Sequence, residues 1–324
     1  GKDFTLLDTP GHVDFSVEME RVLSVLDVAV LVISASAGVQ SQVSAIWKLL
    51  KHYDIPAFIF VNKMDQPDTS KEEILIELKE KLDSNIIDYA DAGSDKAEYD
   101  RFIEEVSLTD ETVLEAYMET GSVDFADIQN LVRNRKFFPV FFGSALKYEG
   151  VDEFLKSFAS LVIPPVYGSE FSARVFKIAR DEAGNRLTYM KLMGGSLSVR
   201  EMIGDEKVTG IRVYSGEKYE NRDRVEAGEV CVVTGLKSTK AGGGLGLLSG
   251  TEIGSVLKQV MSYKGELPED EPAHVFLPKI REISEEIPEL SVKYSEEKKE
   301  ITISLMGEVQ TEVLKHLIKE RYNV

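Results

Sequence analysis

Four short apolar runs, at residues 4–7, 28–33, 57–61 and 138–142, constrain this chain more than any other feature. Continuous apolar runs of that length, bounded by turn signals, read as strands covered on both faces. Between them lie stretches of helical period, such as residues 42–53, where Val43, Ile46, Trp47 and Leu50 share one face. Alternation of this kind builds a parallel α/β sheet. The acidic stretch from Lys71 to Arg135 is read as a mostly helical insertion, with helices expected over 72–82 and 110–118, before the last strand arrives. A final helix over 152–162 runs into Ile163-Pro164-Pro165, where two prolines forbid continuation and a domain boundary is expected.

Beyond that boundary the period changes. Short alternating segments at 173–178, 188–193, 207–214 and 229–234 are separated by the turn signals Gly184-Asn185, Gly194-Gly195 and Ser215-Gly216. A small β-barrel is expected there, because closure removes exposed strand edges. The last stretch reads strand, helix, strand, strand, helix over 256–267, 275–284, 290–294, 300–305 and 307–321, a ferredoxin-like unit missing its closing strand. Tyr322-Asn323-Val324 is read as the start of that strand.

Composition narrows the partners. A formal net charge of −18 disfavours an electrostatic grip on nucleic acid phosphate, and no sequence-specific DNA partner is expected. The single cysteine, Cys231, lies in an apolar run and reads as a buried, inert thiol. No stretch approaches the ~18 apolar residues of a membrane span, and the first residues lack the basic-then-apolar form of a signal peptide. No membrane partner and a cytoplasmic location are therefore expected.

Three short signals fall at strand ends, where an open α/β sheet binds its ligand. Asp8-Thr9-Pro10-Gly11-His12 follows the first run. There a carboxylate can help hold Mg²⁺ near a γ-phosphate, and Gly11 lets its N–H approach that phosphate. A bare D-x-x-G is usually an ordinary turn, and the full five-residue form is more specific. Asn62-Lys63-Met64-Asp65 follows the third run. Asp65 suits the N1 and N2 donors of guanine, Asn62 suits its N7 acceptor, and the stem of Lys63 covers the ring. Adenine, without the N2 amine, leaves Asp65 unpaired. Gly143-Ser144-Ala145-Leu146 follows the fourth run, a small-residue loop whose backbone N–H groups can reach guanine O6.

In this order the three signals resemble the switch II, base-recognition and base-supporting motifs of the translational GTPases. The likeness continues through Val175-Phe176-Lys177-Ile178, Arg186-Leu187-Thr188-Tyr189 and Leu305-Met306-Gly307-Glu308-Val309-Gln310. These look most like the ribosomal protection proteins that confer tetracycline resistance, with elongation factor G as the wider relative. The resemblance implies a partial P-loop GTPase α/β domain over residues 1–165, a translation-factor β-barrel over 166–253, and a ferredoxin-like α+β domain over 254–324. It also implies GTP or GDP and Mg²⁺ as ligands, the ribosome as partner, Asp8 holding Mg²⁺ through water, and His12 positioning the attacking water. Asn62, Lys63, Asp65, Ser144, Ala145 and Leu146 would hold the base, with Asp8 and Gly11 at the phosphates.

One departure is severe. No G-x-x-x-x-G-K-[ST] occurs, and the glycine-rich run 241–246 lacks the Lys-Ser/Thr ending and reads as a barrel-edge loop. Hydrolysis by this chain alone is expected to fail. The family's strand leading into that loop lies between the 4–7 and 28–33 strands, so the sheet is expected to lack a central strand. Two alternatives to a tetracycline-protection GTPase stand beside it: a general elongation or release factor, and a non-catalytic interaction fragment.

Overall fold

The computed structural model describes residues 2–9, 16–254, 261–265, 273–287, 290–295 and 300–322. In chain order, α1 (Ser16–Leu23) precedes β1 (Ala29–Ser34), α2 (Ser41–His52), β2 (Ala57–Asn62), α3 (Lys71–Lys81) and β3 (Ile86–Asp88). Then come α4 (Lys96–Ser107), α5 (Glu111–Thr120), α6 (Phe125–Arg133), β4 (Phe138–Phe142) and α7 (Val151–Leu161). The chain divides into two compact units, one formed by Gly1–Lys2 with Leu26–Pro165, the other by Asp3–Val25 with Val166–Val324.

The first unit is built on a four-stranded parallel sheet in the order β1-β2-β4-β3. β2 is buried along Ala57–Val61, as a strand with helices on both faces must be. β1 alternates instead, with Val30 and Val32 exposed, so only one of its faces is covered. The core gathers Phe58, Phe60, Phe102, Phe137, Phe141 and Phe154 with aliphatic residues of the helices. Trp47 of α2 packs edge-on against Phe138 at 4.8 Å, with the Arg135 guanidinium over its ring. Side-chain oxygens of Ser70, Asp95 and Asp110 cap α3, α4 and α5 by accepting from backbone N–H groups of the first turn.

One expectation fails here. Residues 4–7 join no sheet, and Leu6 is 87% exposed. A strand is held by a sheet and by burial, and this segment lies in no sheet and is mostly exposed, which leaves little to offset the entropy of ordering it as a strand. Besides α3–α6, the mostly helical insertion contains β3, which pairs in parallel with β4 through Ile86↔Phe138, Ile87↔Pro139 and Asp88↔Val140.

The second unit opens with α1 and continues from Val166 with ten strands: β5 (Ser172–Arg180), β6 (Arg186–Gly194), β7 (Ser196–Ser198), β8 (Met202–Ile203), β9 (Glu206–Lys207), β10 (Gly210–Ser215), β11 (Lys218–Arg222), β12 (Arg224–Glu226), β13 (Val230–Thr234) and β14 (Gly244–Gly246). Six form an antiparallel sheet, β11-β10-β13-β6-β5-β14, and β7 pairs with β12 as a separate ribbon. Leu197 and Val225 of that ribbon join Val175, Met190, Ile211 and Val233 in one core. Among the described residues no ladder joins β11 to β14, so the expected barrel is rounded off by side-chain packing and not by a closed hydrogen-bond ring. The glycine-rich run supplies β14, which pairs with β5 at the sheet edge.

The C-terminal part follows as β15 (Met261–Gly265), α8 (Ala273–Glu286), β16 (Ser291–Ser295), β17 (Glu300–Leu305) and α9 (Glu308–Tyr322). Its antiparallel sheet has the order β15-β17-β16. That is the expected strand-helix-strand-strand-helix unit. Tyr322, read as the start of a closing strand, is the last residue of α9, and 323–324 lie outside the described residues. Among the described residues no helix is long and apolar enough to cross a membrane.

Candidate functional site

β2 and β4 are neighbours in the parallel sheet, so the loops leaving their carboxyl ends emerge side by side. Asn62 is the last residue of β2. Its Oδ1 accepts from the Lys63 N–H at 2.8 Å and from the Ala145 N–H at 2.9 Å. Two backbone donors fix which end of the amide is oxygen, and they leave the Nδ2 hydrogens as donors for a ligand.

The chain then turns sharply, with Lys63 at a φ of 67°, a left-handed conformation that costs a non-glycine residue roughly 1–2 kcal/mol. The turn is held by hydrogen bonds from Gln66 N to Lys63 O at 3.1 Å and from Met64 N to Gly143 O at 3.1 Å. The second of these ties the two loops together. Strain of this kind persists only where surrounding contacts fix the backbone.

Asp65 follows, half-buried and 3.9 Å from the Lys147 ammonium through Oδ2. The Ser144 hydroxyl holds its carboxyl below the usual range; burial opposes it, and the Asp65 backbone and Lys147 add smaller lowering effects. Asp65 is therefore an ionised acceptor at neutral pH.

The second loop is closed at its base. Ser144 and Glu149 exchange both backbone hydrogen bonds, N to O at 3.0 Å and 3.1 Å, and Lys147 N donates to Ser144 O at 3.2 Å. Glycine is required at its two hinges. A Cβ on Gly143 would lie 2.3 Å from Glu149 O, and Gly150 has a φ of 73°, where a Cβ would lie 2.5 Å from Phe142 O. Ser144 is buried, whereas Ala145 and Leu146 are exposed.

The structure thus brings Asn62, Asp65, Ser144 and Ala145 together, with Lys63 at the turn between them. It revises one detail. The N–H groups of Ser144 and Ala145, expected to face guanine O6, are engaged by Glu149 and Asn62. Ala145 therefore orients the Asn62 amide. Lys147 and Glu149 escaped the sequence reading because their roles depend on loop closure, and Gly150 was the only local signal of that closure. Asp8 lies in the exposed 2–9 segment, in the other unit. Gly11 and His12 lie outside the described residues. A cavity of about 250 Å³ opens at the opposite end of this sheet, lined by Val28, Ile55, Pro56, Phe58, Leu161 and Ile163, and contains none of these residues.

A parallel sheet with paired polar loops at the carboxyl ends of adjacent strands defines an open α/β ligand-binding domain. Residues 1–164 match the elongation factor Tu GTP binding domain, and the chain belongs to that family of translational GTPases. It is 32% identical to the tetracycline resistance protein TetP of Clostridium perfringens, over 98% of this chain and 53% of that protein. It is 30% identical to the oxytetracycline resistance protein of Streptomyces rimosus over 98% of this chain and 54% of that protein. Elongation factor G of Mycoplasma genitalium is 28% identical over 73% of this chain and 44% of its own length. The chain spans about half the length of these curated relatives. A crystal structure of a Thermus thermophilus protein shares the fold, with a TM-score of 0.80 at 21% identity over 95% of this chain and 54% of that one.

Proposed function

We propose that this chain is part of a ribosome-dependent GTPase of the tetracycline-protection type, in which the loops after β2 and β4 read guanine. The observation that carries the reading is the double backbone clamp on Asn62 Oδ1, by Lys63 and Ala145, beside an ionised Asp65. The clamp aims Nδ2 as a donor toward an acceptor such as N7, and the carboxylate takes the two donors of the guanine Watson–Crick edge. Adenine cannot satisfy Asp65, and an unpaired buried acceptor is costly. The Lys63 stem covers the ring, and the Leu146 side of the second loop faces O6.

The same reading takes residues 1–165 as the partial GTP-binding domain, 166–253 as the barrel domain and 254–324 as the ferredoxin-like domain. It gives Asp8 to Mg²⁺ through water, the Gly11 N–H to the terminal phosphate and His12 to the attacking water. Mg²⁺ commonly keeps several waters and binds through one or two carboxylates plus phosphate oxygens, a role a single aspartate can fill. The reading also gives the protein a cytoplasmic location, where ribosomes would be its partner. The resemblance to two resistance proteins over nearly the whole chain favours the protection role over that of a general elongation factor.

Calorimetric titration of the chain with GDP and with xanthosine diphosphate tests the base reading. The native sequence should prefer GDP, and Asp65→Asn should reverse the preference by about tenfold or more, a swing of roughly 1.4 kcal/mol or greater. Equal affinity of both proteins for both nucleotides would remove Asp65 from base recognition.

A further inference from the structure

The antiparallel sheet and the C-terminal α+β layer of the second unit each have a core of their own. Among the described residues the cluster around Val175, Met190 and Val233 shares no member with the cluster around Phe276, Ile280 and Leu314. Ion pairs run between β5–β6 and α8. Arg180 Nε is 2.8 Å from Glu282 and 3.7 Å from Glu286, and its Nη2 is 3.3 Å from Glu285. Arg186 Nε is 3.1 Å from the same Glu285 oxygen. Arg321 of α9 donates through both Nη atoms to Glu286, at 2.5 Å and 3.0 Å.

The network has a fixed side and a borrowed side. On the barrel sheet, Arg186 is anchored by donating to Leu236 O at 3.0 Å and to Thr239 Oγ1 at 2.7 Å. Glu282, Glu285 and Glu286 occupy the last turns of α8, which carry no basic residue in the final turn. Carboxylates at i and i+4 repel, and carboxylates at a helix C-terminus oppose its dipole. The end of α8 is thus unfavourable by itself and gains most from the arginines of another element.

We propose that Arg180 and Arg186 form an electrostatic latch with Glu282, Glu285 and Glu286 that holds the C-terminal α+β layer on the barrel sheet and releases it, still folded, when charge is screened or reversed. Screening to a Debye length of ~3 Å at about 1 M salt weakens such pairs and leaves apolar cores intact. The layer then moves as a body, without either core opening.

Distance measurement between spin labels at Lys218→Cys on β11 and Lys319→Cys on α9 tests this. The native thiol, Cys231, is buried and its pKa is pushed up to about 12 by that burial, so it stays unlabelled. At low salt one narrow distance distribution is expected. About 1 M KCl should add a second, broader population, whereas sucrose of matched osmolality should not. Arg180→Glu should produce that population at low salt, raising it at least tenfold, and adding Glu282→Arg with Glu285→Arg should reverse the change. Far-UV ellipticity should remain native throughout. A distribution unchanged by both salt and Arg180→Glu overturns the latch. Should Arg180→Glu unfold, the salt titration of the labelled native sequence decides alone, and an invariant distance there overturns it equally.

Discussion

The loops after β2 and β4 and the segment 2–9 carry motifs of similar clarity in sequence, yet they end in opposite structural states. Residues 62–65 and 143–150 are bound to each other and to the sheet by backbone hydrogen bonds, with Ser144 buried and two glycines placed where no other residue fits. The segment bearing Asp8 lies exposed and outside every sheet. A ligand-reading motif therefore acquires shape from the strand that carries it. β2 has a paired strand on each side, and residues 4–7 belong to no sheet.

The comparison breaks most visibly under side-chain truncation. Phe58→Ala, in fully buried β2, should cost ~3–5 kcal/mol in urea unfolding followed by far-UV ellipticity, whereas Leu6→Ala should stay within about 0.5 kcal/mol. A comparable loss from both would mean that the 2–9 segment is packed after all. A smaller effect is expected at the loop hinge. Gly143→Ala should cost ~1–3 kcal/mol as its methyl displaces the Glu149 carbonyl, while the same change at Gly168, which has open space around it, should be near neutral. Equal stability of the two variants would show that the 143–150 loop is not closed as described.

The smallest effect is in pH dependence. The Asp65 carboxyl is held below its ordinary value of 3.8, so its stabilising share is complete above that value and is lost as pH falls through the lower folded value. Asp65→Asn should therefore flatten the fall of the urea midpoint at the acid end and leave its shape near neutral pH unchanged. A steeper acid fall in the variant would reverse the sign assigned to Asp65.

How much of this could be read in advance follows the same division. The runs at 28–33, 57–61 and 138–142 became β1, β2 and β4 nearly to the residue, because burial demands apolar side chains along β2 and β4 and on the covered face of β1. β3 stayed hidden, since three residues ending in Asp88 are too few to show a period, and its existence depends on the edge that β4 offers. α4 and α6 were absorbed into a general helical reading of an acidic stretch. Asn62, Asp65 and Ser144 were legible from residue type and spacing. The partners that orient them were not, because Ala145 N–H, Lys147 and Glu149 act through a closed loop whose geometry exists only after β2 and β4 have paired.

Trp47 is the only tryptophan in the chain, and it lies inside the parallel-sheet unit, pressed between Phe138 and Arg135. The molecule thus carries a native optical probe confined to one of its two units. Intrinsic emission will track the melting of that unit alone, and any lag between it and the ellipticity of the whole chain will reveal whether the two units come apart in concert or in sequence.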